Sequence, residues 1–116
     1  MEDGLYTAAV GRPTISFAAI VLKDGRVFGG DSGFYFIGEY RIKGDEITGE
    51  ARAIWHGVAG PGAQSGPTLY GDTATAFRLE FAGRVGDGSI TGTMARGDMP
   101  SVVMPLTLTL RASVPT

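Results

Sequence analysis

The residue types that most often carry acid–base or nucleophilic chemistry are sparse in this sequence. His56 is the single histidine among 116 residues, and there is no cysteine. A hydrolytic triad would have to combine His56 with a pair such as Asp31 and Ser32. That pair lies in a glycine-rich turn, where Asp and Ser side chains commonly accept hydrogen bonds from turn amides. We therefore expect Asp31 and Ser32 to cap the turn, and we predict no catalytic residues and no enzyme activity.

Metal, cofactor and phosphate sites are also not indicated. One histidine and no cysteine exclude a site built from several such ligands. The glycine-rich segment 60–66 lacks the lysine of a phosphate-binding loop, and no predicted helix follows it. Asp87-Gly88-Ser89 supplies one carboxylate where a calcium loop needs several oxygens. We predict no metal, no cofactor and a flexible loop at 60–66.

The composition is typical of one small globular domain covering residues 1–116. Hydrophobic residues make up 43% and charged residues 19%, enough apolar material for one core. The net charge is −2, and no basic cluster suits nucleic acid.

Segments that would direct the chain to or into a membrane are also not indicated. The N-terminus is acidic, and no apolar run approaches the ~20 residues of a membrane helix. Arg78, Glu80, Thr107 and Thr109 would face lipid in an outer-membrane barrel. We therefore expect no membrane partner and, without disulfides, a cytoplasmic location.

Glycine and proline divide the sequence into short apolar runs. The 19 glycines and six prolines are spread along the chain, which disfavours helices throughout. Alternation of apolar and polar residues predicts eight strands. These cover residues 5–10, 15–22, 26–30, 34–42, 47–55, 75–81, 89–95 and 104–111. Asp24-Gly25 predicts a two-residue hairpin turn between the second and third strands, and 57–73 is the one long connection.

Short links between consecutive strands indicate an antiparallel up-and-down meander. An open sheet of eight strands would expose two edges and one apolar face, and no helix is available to cover that face. Closure into a barrel removes both problems, and a barrel of about eight strands can be filled by side chains or can hold one small ligand. We predict an all-β, lipocalin-like barrel.

The predicted inner face combines small residues with aromatic rings. Either the glycines allow the strands to coil sharply while the rings fill the interior, or the interior is a pocket for a small hydrophobic molecule. The candidate pocket residues are Phe34, Phe36, Gly38, Tyr40, Gly49, Ala51, Ala53, Trp55, Phe77, Leu79 and Phe81.

The predicted outer face of the second to fourth strands is unusually apolar. Five apolar residues on adjacent strands could form one contiguous patch of the kind that marks an interface, and a two-fold homodimer is its simplest use. The alternative is an error of register that places some of these residues inside. The candidate interface residues are Ile20, Leu22, Phe28, Tyr35 and Ile37.

Two segments form a distinctive linear pattern: Leu22-Lys23-Asp24-Gly25-Arg26-Val27 and Gly29-Gly30-Asp31-Ser32-Gly33-Phe34-Tyr35, followed by Gly38 and Tyr40. This pattern resembles the GrlR-like family, named for a negative regulator of type III secretion. Asp3-Gly4-Leu5-Tyr6 precedes these two segments, and His56, Phe77-Arg78-Leu79 and Gly97 are looser matches. The chain departs from the family after the fourth strand, where Ile42-Lys43-Gly44-Asp45 replaces an acidic run.

The resemblance implies a small lipocalin-like barrel that forms a homodimer and has no enzyme activity. It also implies regulation through a protein partner, since the named member binds and sequesters a transcriptional activator. Two hypotheses thus remain after the sequence: a regulatory barrel that binds proteins, and a carrier or sensor of a small hydrophobic molecule.

Overall fold

The computed structural model describes residues 1–57 and 65–114. The predicted flexible loop at 60–66 therefore lies for the most part outside the described residues. Among the described residues, no helix has the length and apolar character needed to cross a membrane.

Ten antiparallel strands make up the described chain, and eight of them close into one barrel. The barrel order is β1-β10-β9-β8-β5-β4-β3-β2, and β6 and β7 form a separate two-stranded hairpin. The predicted closed barrel of eight strands is confirmed. The strands are β1 (Gly4–Val10), β2 (Ser16–Lys23), β3 (Arg26–Gly30), β4 (Phe34–Lys43), β5 (Glu46–Trp55), β6 (Gly66–Pro67), β7 (Thr73–Ala74), β8 (Ala76–Val85), β9 (Ser89–Arg96) and β10 (Met99–Ser113).

The predicted Asp24-Gly25 turn joins β2 to β3. Both residues have positive φ, 50° and 79°, as a type I′ turn requires, and that turn suits the twist of a hairpin. Lys23 pairs with Arg26 immediately beyond the turn. The turn therefore fixes the register of both strands.

The inward and outward faces of β5 agree with the predicted alternation. Ile47 and Ala53 are fully buried and Ala51 nearly so, whereas Glu50 and Arg52 are exposed. Inward apolar residues also alternate with outward polar ones along β8 and β10. The core therefore lies inside the barrel.

The predicted orientation of β2 is wrong. Leu22 is 1% exposed, and Ile20 is half-buried against the core. Leu22 lies opposite Val27, which is also buried, because the hairpin turn sets that pairing. Phe17 and Val21 face outward instead. A shift of one residue exchanges the two faces of a strand, and β2 is apolar on both faces.

Glycines allow neighbouring strands to approach closely at two points of the inner face. A Cβ built on Gly38 would lie 2.6 Å from Cα of Ala51, and one built on Gly92 would lie 2.5 Å from Cα of Gly83. The absence of a side chain at these glycines thus permits the sharp coiling of the strands that a small barrel needs.

The barrel has a closed end, defined by the hairpin turns at 24–25 and 44–45 and the N-terminal residues. Tyr6 donates a hydrogen bond to the Glu2 carbonyl oxygen at 2.5 Å, and Tyr40 donates to Asp3 Oδ1 at 3.4 Å. Burial raises the pKa of both tyrosines, and the nearby acidic residues raise it further. The closed end therefore contains two buried phenols.

Candidate functional site

A cavity of about 430 Å³ occupies the interior towards the opposite, open end of the barrel. Small-molecule sites typically have volumes of about 300–1,000 Å³. The wall combines inward apolar side chains of the barrel with residues of the loops at the open end. It consists of Ala8, Val10, Ser16, Phe17, Ala18, Ile20, Val27, Asp31, Ser32, Gly33, Phe34, Phe36, Ala51, Trp55, Pro67, Thr68, Leu69, Phe77, Leu79, Phe81, Met94 and Leu106.

Aromatic rings fill part of the interior near the open end. The Phe34 ring contacts the rings of Trp55 and Phe77 edge to face, with centroids 5.3 and 5.2 Å apart. This geometry is the favourable one for aromatic pairs. The interior therefore contains both an aromatic cluster and an apolar cavity.

The structure brings most of the predicted pocket residues together in the cavity wall. They are Phe34, Phe36, Ala51, Trp55, Phe77, Leu79 and Phe81. Gly38, Tyr40, Gly49 and Ala53 lie on the same inner face but outside the wall, and Tyr40 belongs to the packed closed end. Of the predicted residues outside the wall, Gly38, Tyr40 and Gly49 lie nearer the closed end, and Ala53 lies between the wall residues Ala51 and Trp55.

The sequence prediction missed the part of the wall that comes from β1, β2, β9 and β10. Ala8 and Val10 line the cavity, and so do Met94 and Leu106. Alternation in β1 was the available signal, because Tyr6, Ala8 and Val10 share one buried face. Ile20, predicted at an interface, also belongs to this wall.

The rim of the cavity is organised by Asp31, as the turn prediction proposed. Its Oδ1 accepts hydrogen bonds from the backbone N–H groups of Gly33 and Phe34, at 2.9 and 2.8 Å. The capping role of Asp31 is therefore confirmed. Ser32 lies beside it at the rim but makes no such capping bond among the described contacts.

The β6–β7 hairpin lies over the open end and adds Pro67, Thr68 and Leu69 to the wall. The Thr68 N–H donates to the Asp72 carbonyl oxygen at 2.8 Å, and its hydroxyl donates to Asp72 Oδ1 at 2.5 Å. Gly66 sits directly on the Trp55 ring, since a Cβ there would clash with it. The hairpin thus partly covers the cavity.

Arg96 anchors this hairpin to the end of β9. Its side chain is 7% exposed, and its Nη1 donates to both carboxylate oxygens of Asp72, at 2.8 and 2.9 Å. Nε donates to Asp98 at 2.5 Å, and the guanidinium lies 4.8 Å from the Phe77 ring centroid. The Thr68 hydroxyl and then Arg96 hold the pKa of Asp72 below its usual value.

Arg96 and Asp72 were not among the predicted functional residues. They are 24 positions apart, and neither belongs to a motif. Only the closed topology brings the end of β9 beside the hairpin. No local sequence signal therefore reveals this ion pair.

His56 is exposed at the open end and does not contact the Asp31 carboxylate. Its Nε2 lies 3.3 Å from the backbone carbonyl oxygen of Asp31, and its ring is 6.0 Å from that of Tyr35. The residues at 1–57 and 65–114 contain no group of three or more His, Cys, Asp or Glu side chains placed to hold a metal ion. The geometry assigns His56 a contact with the rim turn.

An apolar area also covers the outside of the first four strands. Leu5, Val21, Phe28 and Ile37 face one another in register across β1 to β4. Phe28 is 45% exposed and Ile37 53%. We call the outer apolar face the set Leu5, Val21, Phe28, Tyr35 and Ile37. Phe28, Tyr35 and Ile37 thus point outward as predicted, whereas Ile20 and Leu22 do not belong to it.

Neither the protein-family models nor the curated proteins compared with this chain give a match.

Proposed function

We propose that the protein binds a small hydrophobic molecule inside its barrel. The observation that carries this proposal is the apolar cavity of about 430 Å³ at the open end. Its deep wall is formed by side chains such as Ala51, Leu79 and Met94, which offer no hydrogen bonds beyond weak sulfur contacts. A ligand would therefore be held mainly through burial of its apolar surface.

The expected affinity is modest. Burying one methylene group contributes about 0.8 kcal/mol, so a ligand with about ten of them gains up to about 8 kcal/mol before ordering costs. A micromolar dissociation constant corresponds to about 8 kcal/mol. We therefore expect micromolar or weaker binding of simple hydrophobic probes.

Filling the cavity should weaken this binding. Ala51→Leu places three more carbon atoms in the wall, and we expect it to weaken binding of the fluorophore Nile red at least about tenfold, the effect of losing about 1.4 kcal/mol. Fluorescence titration measures the affinity, and circular dichroism verifies that the variant is folded.

Ala82→Leu is the matched control, because Ala82 is exposed on the outer side of β8. It makes the same substitution outside the cavity and should leave the affinity unchanged. Equal Nile red affinity in both folded variants would contradict the proposal, because the dye would then be bound on the outer surface.

The second proposed function is protein binding through the outer apolar face. Four apolar residues in register on adjacent strands favour it, since contiguous exposed apolar patches mark interaction sites. The GrlR-like resemblance supports the same function. On this proposal the protein is a non-enzymatic, cytoplasmic homodimer that acts on a regulatory protein partner.

A charge in the outer apolar face should dissociate the homodimer. Ile37→Glu would bury a carboxylate without a partner in a symmetric contact, which is strongly unfavourable. Multi-angle light scattering at micromolar concentration should show a dimer for the unmodified chain and a monomer for this variant.

Val103→Glu is the control, because Val103 is 55% exposed on β10, a similar exposure to that of Ile37. It should remain dimeric. A monomer for the unmodified chain would refute the homodimer, and dissociation by both substitutions would refute this face as the interface.

A further inference from the structure

Asp31 is the one ionisable side chain among the described residues that line the cavity. It lies at the rim, close to Ser32, and the wall's other polar side chains are Ser16, Thr68 and Trp55. The Trp55 Nε1 is buried and has no hydrogen-bond partner among the described residues. The remaining side chains of the wall are apolar. The cavity therefore has one apolar body and one polar opening.

The geometry leaves one carboxylate oxygen of Asp31 available at that opening. Both hydrogen bonds that the described residues donate to its carboxylate go to Oδ1, from the Gly33 and Phe34 N–H groups. A carboxylate oxygen accepts more than one hydrogen bond. Oδ2 can therefore accept a hydrogen bond from a ligand, while Oδ1 keeps the turn in place.

No Lys or Arg among the described residues forms an ion pair with this carboxylate, and His56 contacts the backbone carbonyl oxygen of Asp31, 3.3 Å from its Nε2. Arg96 is bound to Asp72 and Asp98, which together carry more negative charge than it neutralises. Arg12 lies on the exposed turn between β1 and β2 and is not part of the cavity wall. Among the described wall residues, Asp31 thus supplies the one charge at the opening.

We infer that the ligand is an amphiphile with an apolar body and a cationic amine head, which the Asp31 carboxylate binds at the rim. This inference rests on the proposed binding of a hydrophobic molecule. Hydroxyl heads bind less tightly because they donate one neutral hydrogen bond. Carboxylate heads bind most weakly, because two like charges meet at the opening.

Competition with Nile red tests this order. Decylamine, decanol and decanoate share one alkyl chain, so their difference isolates the head group, and each is used below its micelle concentration. We expect decylamine to bind about tenfold more tightly than decanoate. The amine would form a partly exposed ion pair with Asp31, whereas the carboxylate of decanoate would be repelled by it. Decanol should fall between them.

Asp31→Asn tests the charge of the Asp31 side chain separately from its role in holding the rim turn. The Asn side-chain oxygen can still accept the Gly33 and Phe34 N–H bonds, so the turn is retained while the charge is lost. We expect this variant to bind the amine and the carboxylate within about twofold of each other, since most of the charge contribution is removed. Asp87→Asn removes the same charge at the closed end and should keep the full preference for the amine.

The possible outcomes separate failure of the amine inference from failure of the proposed binding of a hydrophobic molecule. If the folded protein binds neither Nile red nor any of the three amphiphiles, the proposed function fails. If it binds all three but prefers decanoate or shows no preference, the amine inference is overturned while the cavity stands. A preference that survives Asp31→Asn also overturns it.

Discussion

At the residue scale, the burial of Arg96 depends on its neighbours. Two carboxylates and an aromatic ring surround its guanidinium, and a buried charge is tolerated only when it is paired and hydrogen-bonded. Arginine suits this place because its planar group can bind two carboxylates and also stack on Phe77. The same contacts hold the hairpin over the cavity.

This anchor should be lost in acid. The pKa of Asp72 is below its ordinary value of 3.8 in the folded protein. The stabilisation that the Asp72–Arg96 ion pair gives is therefore fully present above a pH equal to that ordinary value. It disappears as the pH falls through the folded pKa. Trp55 is the single tryptophan and lies under Gly66 of the hairpin. Its emission should be constant down to about pH 4 and shift to longer wavelength below it.

Asp72→Asn should produce the acid-like spectrum already at neutral pH, since the ion pair is then absent. Circular dichroism follows the barrel itself and separates release of the hairpin from unfolding. Asp87→Asn is again the control and should titrate like the unmodified chain. A superimposable emission titration for Asp72→Asn would show that the ion pair does not hold the hairpin.

At the scale of elements, the strands with alternating sequences were predictable. Apolar and polar residues alternate along β5 and β8, and their burial follows that alternation. The strand β2 has apolar residues on both faces, so alternation could not orient it. The Asp24-Gly25 turn contained the missing information, because pairing Lys23 with Arg26 places Leu22 opposite Val27.

The β6–β7 hairpin could not be predicted from its own residues. Its strands have two residues each, too few to show alternation. It is held by Arg96 on β9 and by packing on Trp55, contacts that exist only after the barrel has closed. The site was therefore predictable where it uses the inner faces of β4, β5 and β8, and not where it uses the hairpin.

For the whole molecule, closure of the barrel explains why there are two separate candidate surfaces. Closure pairs the first and last strands, β1 and β10, and removes free sheet edges from the barrel. It encloses the inner apolar faces around a cavity and leaves the outer apolar face on the opposite side of β1 to β4. Ligand binding and protein binding can therefore be altered by independent substitutions.

The central claim, that a small hydrophobic molecule enters the barrel, is tested most directly by methyl NMR spectroscopy during a titration with decanol. We predict saturable shifts for the inward methyl groups of Ala8, Ala51, Leu79 and Met94, with Leu5 and Val102 on the outside unaffected. Shifts confined to the outer methyl groups, or no saturable shifts at all, would contradict the claim.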